Sequence, residues 1–159
     1  MMIKWLWLSG LVVALDQISK HYASSLLRLH EPMPLAPSFN FTLMHNEGAA
    51  FSFLSNADGW QRWFFITLAL IVSGVIVQWL RRLQPSEVWL AAALSLIVGG
   101  ALGNVWDRIQ LGYVVDFIDV YYGTWHWPAF NIADSAITVG AVILLIEAFK
   151  GGRTSSPKG

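Results

Sequence analysis

The sequence predicts an all-α membrane protein in which four transmembrane helices carry a small β-sheet at the extracytoplasmic interface. Composition is the first observation behind this: the 159 residues are 55% hydrophobic and only 13% charged, against roughly 25% charged in a soluble domain. Segment length is the second. Apolar runs at about 3–27, 63–80, 88–105 and 130–149 each approach the ~20 residues that cross a ~30 Å hydrocarbon core at 1.5 Å per residue. The third is alternation between the runs, where 38–43 sets Phe39, Phe41 and Leu43 against Asn40 and Thr42, the period of a half-buried strand.

The first run opens with Lys4 and an apolar stretch, as a secretory signal peptide does. No small-residue cleavage site follows it. Asp16, Gln17 and Lys20 come instead, and the helical pattern continues through Ile18, Tyr22 and Leu26, so a retained span is expected. After the strand at 38–43, Asn46-Glu47-Gly48 reads as a turn. The third run carries Gly99 and Gly103, a small-xxx-small pair that lets a neighbouring helix approach closely. The segment 113–122, rich in β-branched and aromatic residues, predicts a second strand. Residues 1–150 are expected to form one domain, with 151–159 a disordered cytoplasmic tail.

The nine tryptophans fall near the ends of the runs, where an indole prefers the headgroup layer. Four spans return both termini to one side. That side collects Lys4, Arg81, Arg82, Lys150, Arg153 and Lys158, and the other holds Lys20, Arg28, Arg62 and Arg108. The short Arg81-Arg82 turn and the basic tail place both termini in the cytoplasm. The two longer connections then face outward.

Equal numbers of acidic and basic residues leave no basic face for a phosphate backbone, so no nucleic-acid partner is expected. The absence of cysteine excludes disulfides, thiolate metal sites and a cysteine nucleophile. His21, His30, His45 and His126 lack metal-ligand spacing. Neither a G-x-S-x-G elbow nor a glycine-rich phosphate loop occurs. No metal and no cofactor is expected.

An ionisable residue at membrane depth costs several kcal/mol and asks for a partner or a purpose. Asp16 and Lys20, four residues apart on one helical face, suit a structural ion pair. Asn104, Asp107 and Arg108 share a face at the outer end of the third run and either orient a substrate or pair among themselves and cap the helix. Asp116 and Asp134 have no basic residue nearby in sequence, and both fall at the outer end of the molecule. Alternation puts Asp116 on the strand face opposite Phe117 and Asp119. Two carboxylates brought together in low dielectric tend to share one proton, the state an aspartic protease uses. Against this stand two plainer readings: Asp134 as a cap of the fourth helix, after Pro128 and Asn131, and Asp116 as a solvated loop residue.

Five ordered motifs resemble the lipoprotein signal peptidases (signal peptidase II) of bacteria: Asp16-Gln17-Ile18-Ser19-Lys20, Asn46-Glu47-Gly48-Ala49-Ala50-Phe51-Ser52, Gly103-Asn104-Val105-Trp106-Asp107-Arg108, Val115-Asp116-Phe117 and Phe130-Asn131-Ile132-Ala133-Asp134-Ser135. The resemblance implies an intramembrane aspartyl endopeptidase that frees prolipoproteins of their signal peptide by cutting before a diacylglyceryl-modified cysteine. Its partners would be the diacylated precursor and membrane lipid, in the bacterial inner membrane with the active site toward the outer leaflet. Asp116 and Asp134 would be the catalytic dyad. Asn46, Gly48, Arg108 and Asn131 would hold substrate and the dyad's surroundings, supported by Asp16, Lys20, Asn104 and Asp107. The loop at 46–53 would open to admit the lipid-modified cysteine. Two other classes use intramembrane carboxylates: a proton or cation relay, and an assembly subunit whose aspartates pair with Lys20 and Arg108. A relay needs polarity along its whole path, whereas here the inner halves of runs two to four are nearly bare.

Overall fold

A computed structural model of the chain describes residues 1–48 and 59–153. A 3-10 turn, Met2–Trp5, leads into α1 (Leu6–Leu26), followed by β1 (Pro32–Ala36), β2 (Phe39–Asn46), α2 (Trp60–Arg82), α3 (Val88–Gln110), β3 (Val114–Tyr122), β4 (Trp125–His126) and α4 (Ile132–Arg153). All four helices are long and apolar enough to cross a membrane. They begin and end within a few residues of the expected spans, with two consequential differences. α3 runs on to Gln110, which keeps Asp107 and Arg108 helical, and α4 continues through Gly151–Arg153, the first three residues of the expected disordered tail. Residues 154–159 of that tail lie outside the described residues.

α3 is the central helix and packs against α1, α2 and α4. The reason is its small-residue content. A Cβ at Gly99 would lie 2.8 Å from the Val12 side chain and 2.9 Å from the Ser9 backbone. One at Gly100 would strike the Ala133 carbonyl oxygen, and one at Gly103 would lie 2.6 Å from Asp16 Oδ2. α4 returns the fit with Gly140, whose added Cβ would meet the Ala93 carbonyl at 2.7 Å. In lipid, where burial of apolar surface gives no drive to association, such close approach supplies the packing that holds helices together. A hydrogen bond from Ser9 Oγ to the Ser95 carbonyl, 2.7 Å, adds to the α1–α3 contact. The outward faces remain apolar, with Leu15, Ile18, Ile71, Val75, Val139 and Leu145 exposed.

The chain direction alternates, so the end formed by the C-termini of α1 and α3 and the N-termini of α2 and α4 also carries all four strands. The sheet is antiparallel in the order β1-β2-β3-β4. The two expected strands are β2 and β3. β1 and β4 were not legible: Pro32 and Pro34 read against a strand, yet proline is tolerated at a sheet edge, where one side of the strand needs no ladder donor, and β4 has only two residues. The register shifts between Phe41, opposite Ile118, and Met44, opposite Asp116, so two residues of β2 face one of β3 in a bulge.

Gly100→Val is expected to force α4 away from α3 and lower Tm in detergent, with a loss of about 1–3 kcal/mol from overpacking. Gly74→Val is the control, since nothing lies within 4 Å of its added Cβ, and its change should stay within about 0.5 kcal/mol. Equal shifts for the two would count against the packing described.

Candidate active site

At the strand-bearing end a buried polar network joins three helices to β3. Lys20, 3% exposed, sits between two carboxylates: Nζ is 2.8 Å from Asp16 Oδ2 and 2.8 Å from Asp107 Oδ2. It also donates to Asn104 Oδ1 at 3.0 Å. The expected i,i+4 pair is therefore part of a larger cluster. Gln17, which the sequence did not single out, closes it by donating to Asp107 Oδ1 at 2.8 Å and to Asp16 Oδ2 at 3.2 Å.

The second oxygen of Asp16 accepts the Ala133 N–H at 3.0 Å, and Asp107 Oδ2 accepts the Val115 N–H at 3.0 Å. Ala133 immediately precedes Asp134, and Val115 immediately precedes Asp116. The ion cluster thus fixes the backbone one residue before each of the two carboxylates. An unpaired lysine in such a site would be prohibitively costly, and the pairing with two carboxylates and an amide offsets much of that cost.

Asn131, fully buried, joins the two aspartates. Its Nδ2 donates to Asp116 Oδ1 at 2.7 Å, its Oδ1 accepts the Asp134 N–H at 2.9 Å, and its own N–H donates to Asp134 Oδ2 at 3.3 Å. The last two bonds form a reciprocal capping box at the start of α4. The capping reading of Asp134 is therefore realised, but through one oxygen only; the other, Oδ1, accepts from Asn104 Nδ2 at 2.8 Å. Asp116 lies buried in β3 and is no solvated loop residue. Its Oδ2 accepts from Asn46 Nδ2 at 3.0 Å. Burial first, then the negative charge of Asp134, pushes the Asp116 carboxyl up to about 7 against the opposing donations of Asn46 and Asn131.

Arg108 lies over the Phe65 ring, 5.1 Å from its centroid, and its Nη2 donates to the Gly48 carbonyl at 3.0 Å. Asn46 Oδ1 accepts the Gly48 N–H at 3.1 Å, so the expected turn is pinned from both sides. Beyond Gly48, residues 49–53 of the loop expected to open lie outside the described residues.

Two clefts reach this centre. A helix-side cleft of about 660 Å³ is lined by Asn104, Arg108, Phe130, Asp134 and, along the flank of α4, Ile137 and Val139. A sheet-side cleft of about 690 Å³ is lined by Thr42, His45, Glu47, Asp116, Asp119 and His126. Asn46, Trp127, Pro128 and Ala129 border both. Sequence reading overlooked 127–129 because the segment has no periodicity, and it overlooked Asp119. Asp119 accepts from His126 Nδ1 at 2.8 Å, Thr42 Oγ1 at 3.0 Å and Asn40 Nδ2 at 3.2 Å. Burial pushes its carboxyl up, but these three donors together bring it below the ordinary carboxylate range. The Asn40-x-Thr42 pattern opposite an acid was the available signal. Among the described residues no cluster of histidine and acidic groups could hold a metal ion.

The profile described as signal peptidase (SPase) II matches residues 8–150. The chain belongs to the signal peptidase II family. It is 59% identical over 145 residues, 91% of its length and 82% of the relative's, to a lipoprotein signal peptidase of Acinetobacter baumannii. It is 55% identical to one of Pseudomonas fluorescens over 152 residues, 94% of this chain and 89% of that one. A bacterial membrane enzyme solved by the in meso method at 2.3 Å superimposes with a TM-score of 0.86 at 30% identity, over 98% of this chain and 93% of the other. Family membership makes this protein a protease of the bacterial inner membrane, crossing it several times.

Lys20→Met leaves Asp16 and Asp107 buried without their counter-charge, and a loss of 3–5 kcal/mol is expected, about the cost of breaking a buried pair. Thermal unfolding in detergent measures it; unchanged Tm would show that the cluster does not hold the fold. Adding Asp107→Asn to Lys20→Met removes one stranded charge and should recover part of the loss.

Proposed function

We propose that this protein is an aspartic endopeptidase that removes the signal peptide from prolipoproteins, cutting before the diacylglyceryl-modified cysteine, with Asp116 and Asp134 as the catalytic pair. The observation that carries the reading is Asn131: one buried residue donates to both carboxylates, by its side-chain amide to Asp116 and by its backbone N–H to Asp134, at the meeting of two clefts. The family's relatives, named lipoprotein signal peptidases, supply the substrate class.

Hydrolysis needs one ionised and one protonated carboxyl. Asp116, raised to about 7, carries the shared proton at and below neutrality and donates it to the scissile carbonyl oxygen. Asp134 takes a proton from the attacking water, whose oxygen bonds to the carbonyl carbon. Collapse of the tetrahedral intermediate breaks the C–N bond: Asp134 passes its proton to the departing amine while Asp116 takes back the proton of the hydroxyl that becomes the product's carbonyl, and the pair returns to its starting state. Asn46 and Asn131 hold Asp116, while Asn104 and Asn131 hold Asp134. Arg108 and Gly48 frame the helix-side cleft, where the Arg108 guanidinium faces substrate backbone. Asp16, Lys20 and Asp107 act through the backbone before each aspartate. The precursor's apolar segment and acyl chains lie along α4, so the bilayer supplies part of the positioning. The basic residues Lys4, Arg81, Arg82 and Lys150 support a topology with both termini cytoplasmic and the active site toward the outer leaflet.

Incubation of the purified protein with a diacylated prolipoprotein should release the signal peptide. Asp116→Asn and Asp134→Asn should each fold, bind precursor and lose cleavage by at least about a thousandfold, in line with the removal of a catalytic group. Retained cleavage in either variant would remove that residue from the chemistry. The pH profile of kcat/KM should fall as pH rises through about 7, because the Asp116 proton of the free enzyme is then lost. Asn46→Ala removes a donor that favours the ionised carboxylate, so the falling limb should move to higher pH; a downward shift would contradict the assignment.

A further inference from the structure

Each aspartate of the pair borders a different cleft, Asp134 the helix-side one and Asp116 the sheet-side one. A peptide bond cut between them must therefore run from one cleft into the other, past Asn46 and 127–129. The helix-side cleft descends along Ile137 and Val139 into the apolar belt, which suits the apolar residues before the cut. Residues after the cut are left with the sheet-side cleft. We infer that this sheet-side cleft receives the residues that follow the modified cysteine, and that the carboxylate of Glu47 selects among them by charge, favouring cationic over anionic side chains. The inference rests on the proteolytic reading above.

The charge balance of the cleft supports the selection. Among the described residues its lining carries three carboxylates, Glu47, Asp116 and Asp119, three histidines, His30, His45 and His126, of which His126 is paired with Asp119, and neither lysine nor arginine. Asp119 is engaged by three donors and Asp116 by the reaction, whereas Glu47 is exposed at the rim. His45, stacked on Tyr113 at 4.0 Å, does not cancel the charge. Burial there, with His30 nearby, holds its imidazole below the usual range, so it is neutral near pH 7. A side chain entering this cleft meets the Glu47 carboxylate at its rim, which rewards a cation and penalises an anion. At a partly solvated rim that preference is modest and depends on salt.

Three diacylated precursor peptides that differ only in the second residue after the cysteine, Lys, Ser or Asp, test this through kcat/KM. At low ionic strength the order Lys, Ser, Asp is expected, with a Lys-to-Asp ratio of about tenfold that shrinks in 0.5 M salt on the order of the Debye screening there. Glu47→Gln should reduce the ratio several-fold, by about the worth of one exposed charge, and Glu47→Lys should reverse the order. The same charges placed two residues before the cysteine should show no dependence on Glu47. A ratio of one at low salt, a ratio untouched by both Glu47 variants, or a Glu47 dependence only for charges before the cysteine would each overturn the inference while leaving proteolysis intact. Failure to cut even the Ser peptide would remove the proteolytic reading and this inference with it.

Discussion

Everything at the strand-bearing end depends on how one buried ammonium is neutralised. Lys20 is buried in a low-dielectric interior, where an unpaired charge is costly, and Asp16 and Asp107 come from two different helices to meet it. Their placement is what matters. Each also accepts a backbone N–H, from Ala133 and from Val115. An ion cluster of this kind adds little net stability over a well-packed apolar replacement. Its contribution here is geometric, since it fixes the approach of α4 and of β3, the two elements that carry Asp134 and Asp116.

That geometry in turn requires backbones at close range. Asp16 can reach the first turn of α4 only because Gly103 leaves room beside it and Gly100 lets the Ala133 carbonyl press against α3. The positive end of the α4 dipole then faces Asp16 and Asp134 together, and the Ala133 and Asp134 N–H groups of its first turn find side-chain acceptors in Asp16 and Asn131. Small residues in α3 and carboxylates in α1 and α4 are thus parts of one arrangement.

Asn131 serves the cap of α4 and the carboxylate of β3 at once. A capping box needs one carboxylate oxygen, which leaves the other free to face Asn104 and the helix-side cleft. Through its side-chain amide the same asparagine holds Asp116, whose elevated proton affinity follows from burial and from the neighbouring charge. The pair stands at the junction of the two clefts, and under the proposed proteolytic reading this suits a substrate with an apolar segment on one side of the cut and a water-soluble one on the other.

Much of this was legible in the chain alone. Run length and apolar content determine four helices in lipid because no other open structure satisfies its backbone there. The insertion cost of charge marks Asp16, Lys20, Asp116 and Asp134 as residues with a purpose, and the five motifs point to the family. The two plainer readings of the aspartates were separated only by the fold: Asp134 does cap α4, while Asp116 is buried in a strand. Edge strands β1 and β4, the bridging Gln17, Asp119 with its three donors and the two-sided segment 127–129 left no periodic signal, because short edges and irregular backbone have none. Sequence determined which residues needed partners, since desolvation cost is a property of a side chain and its depth. Only the tertiary structure decided which partners they found: Asn131 lies between two aspartates eighteen residues apart, a contact that depends on the crossing of α3 and α4 and the register of β3.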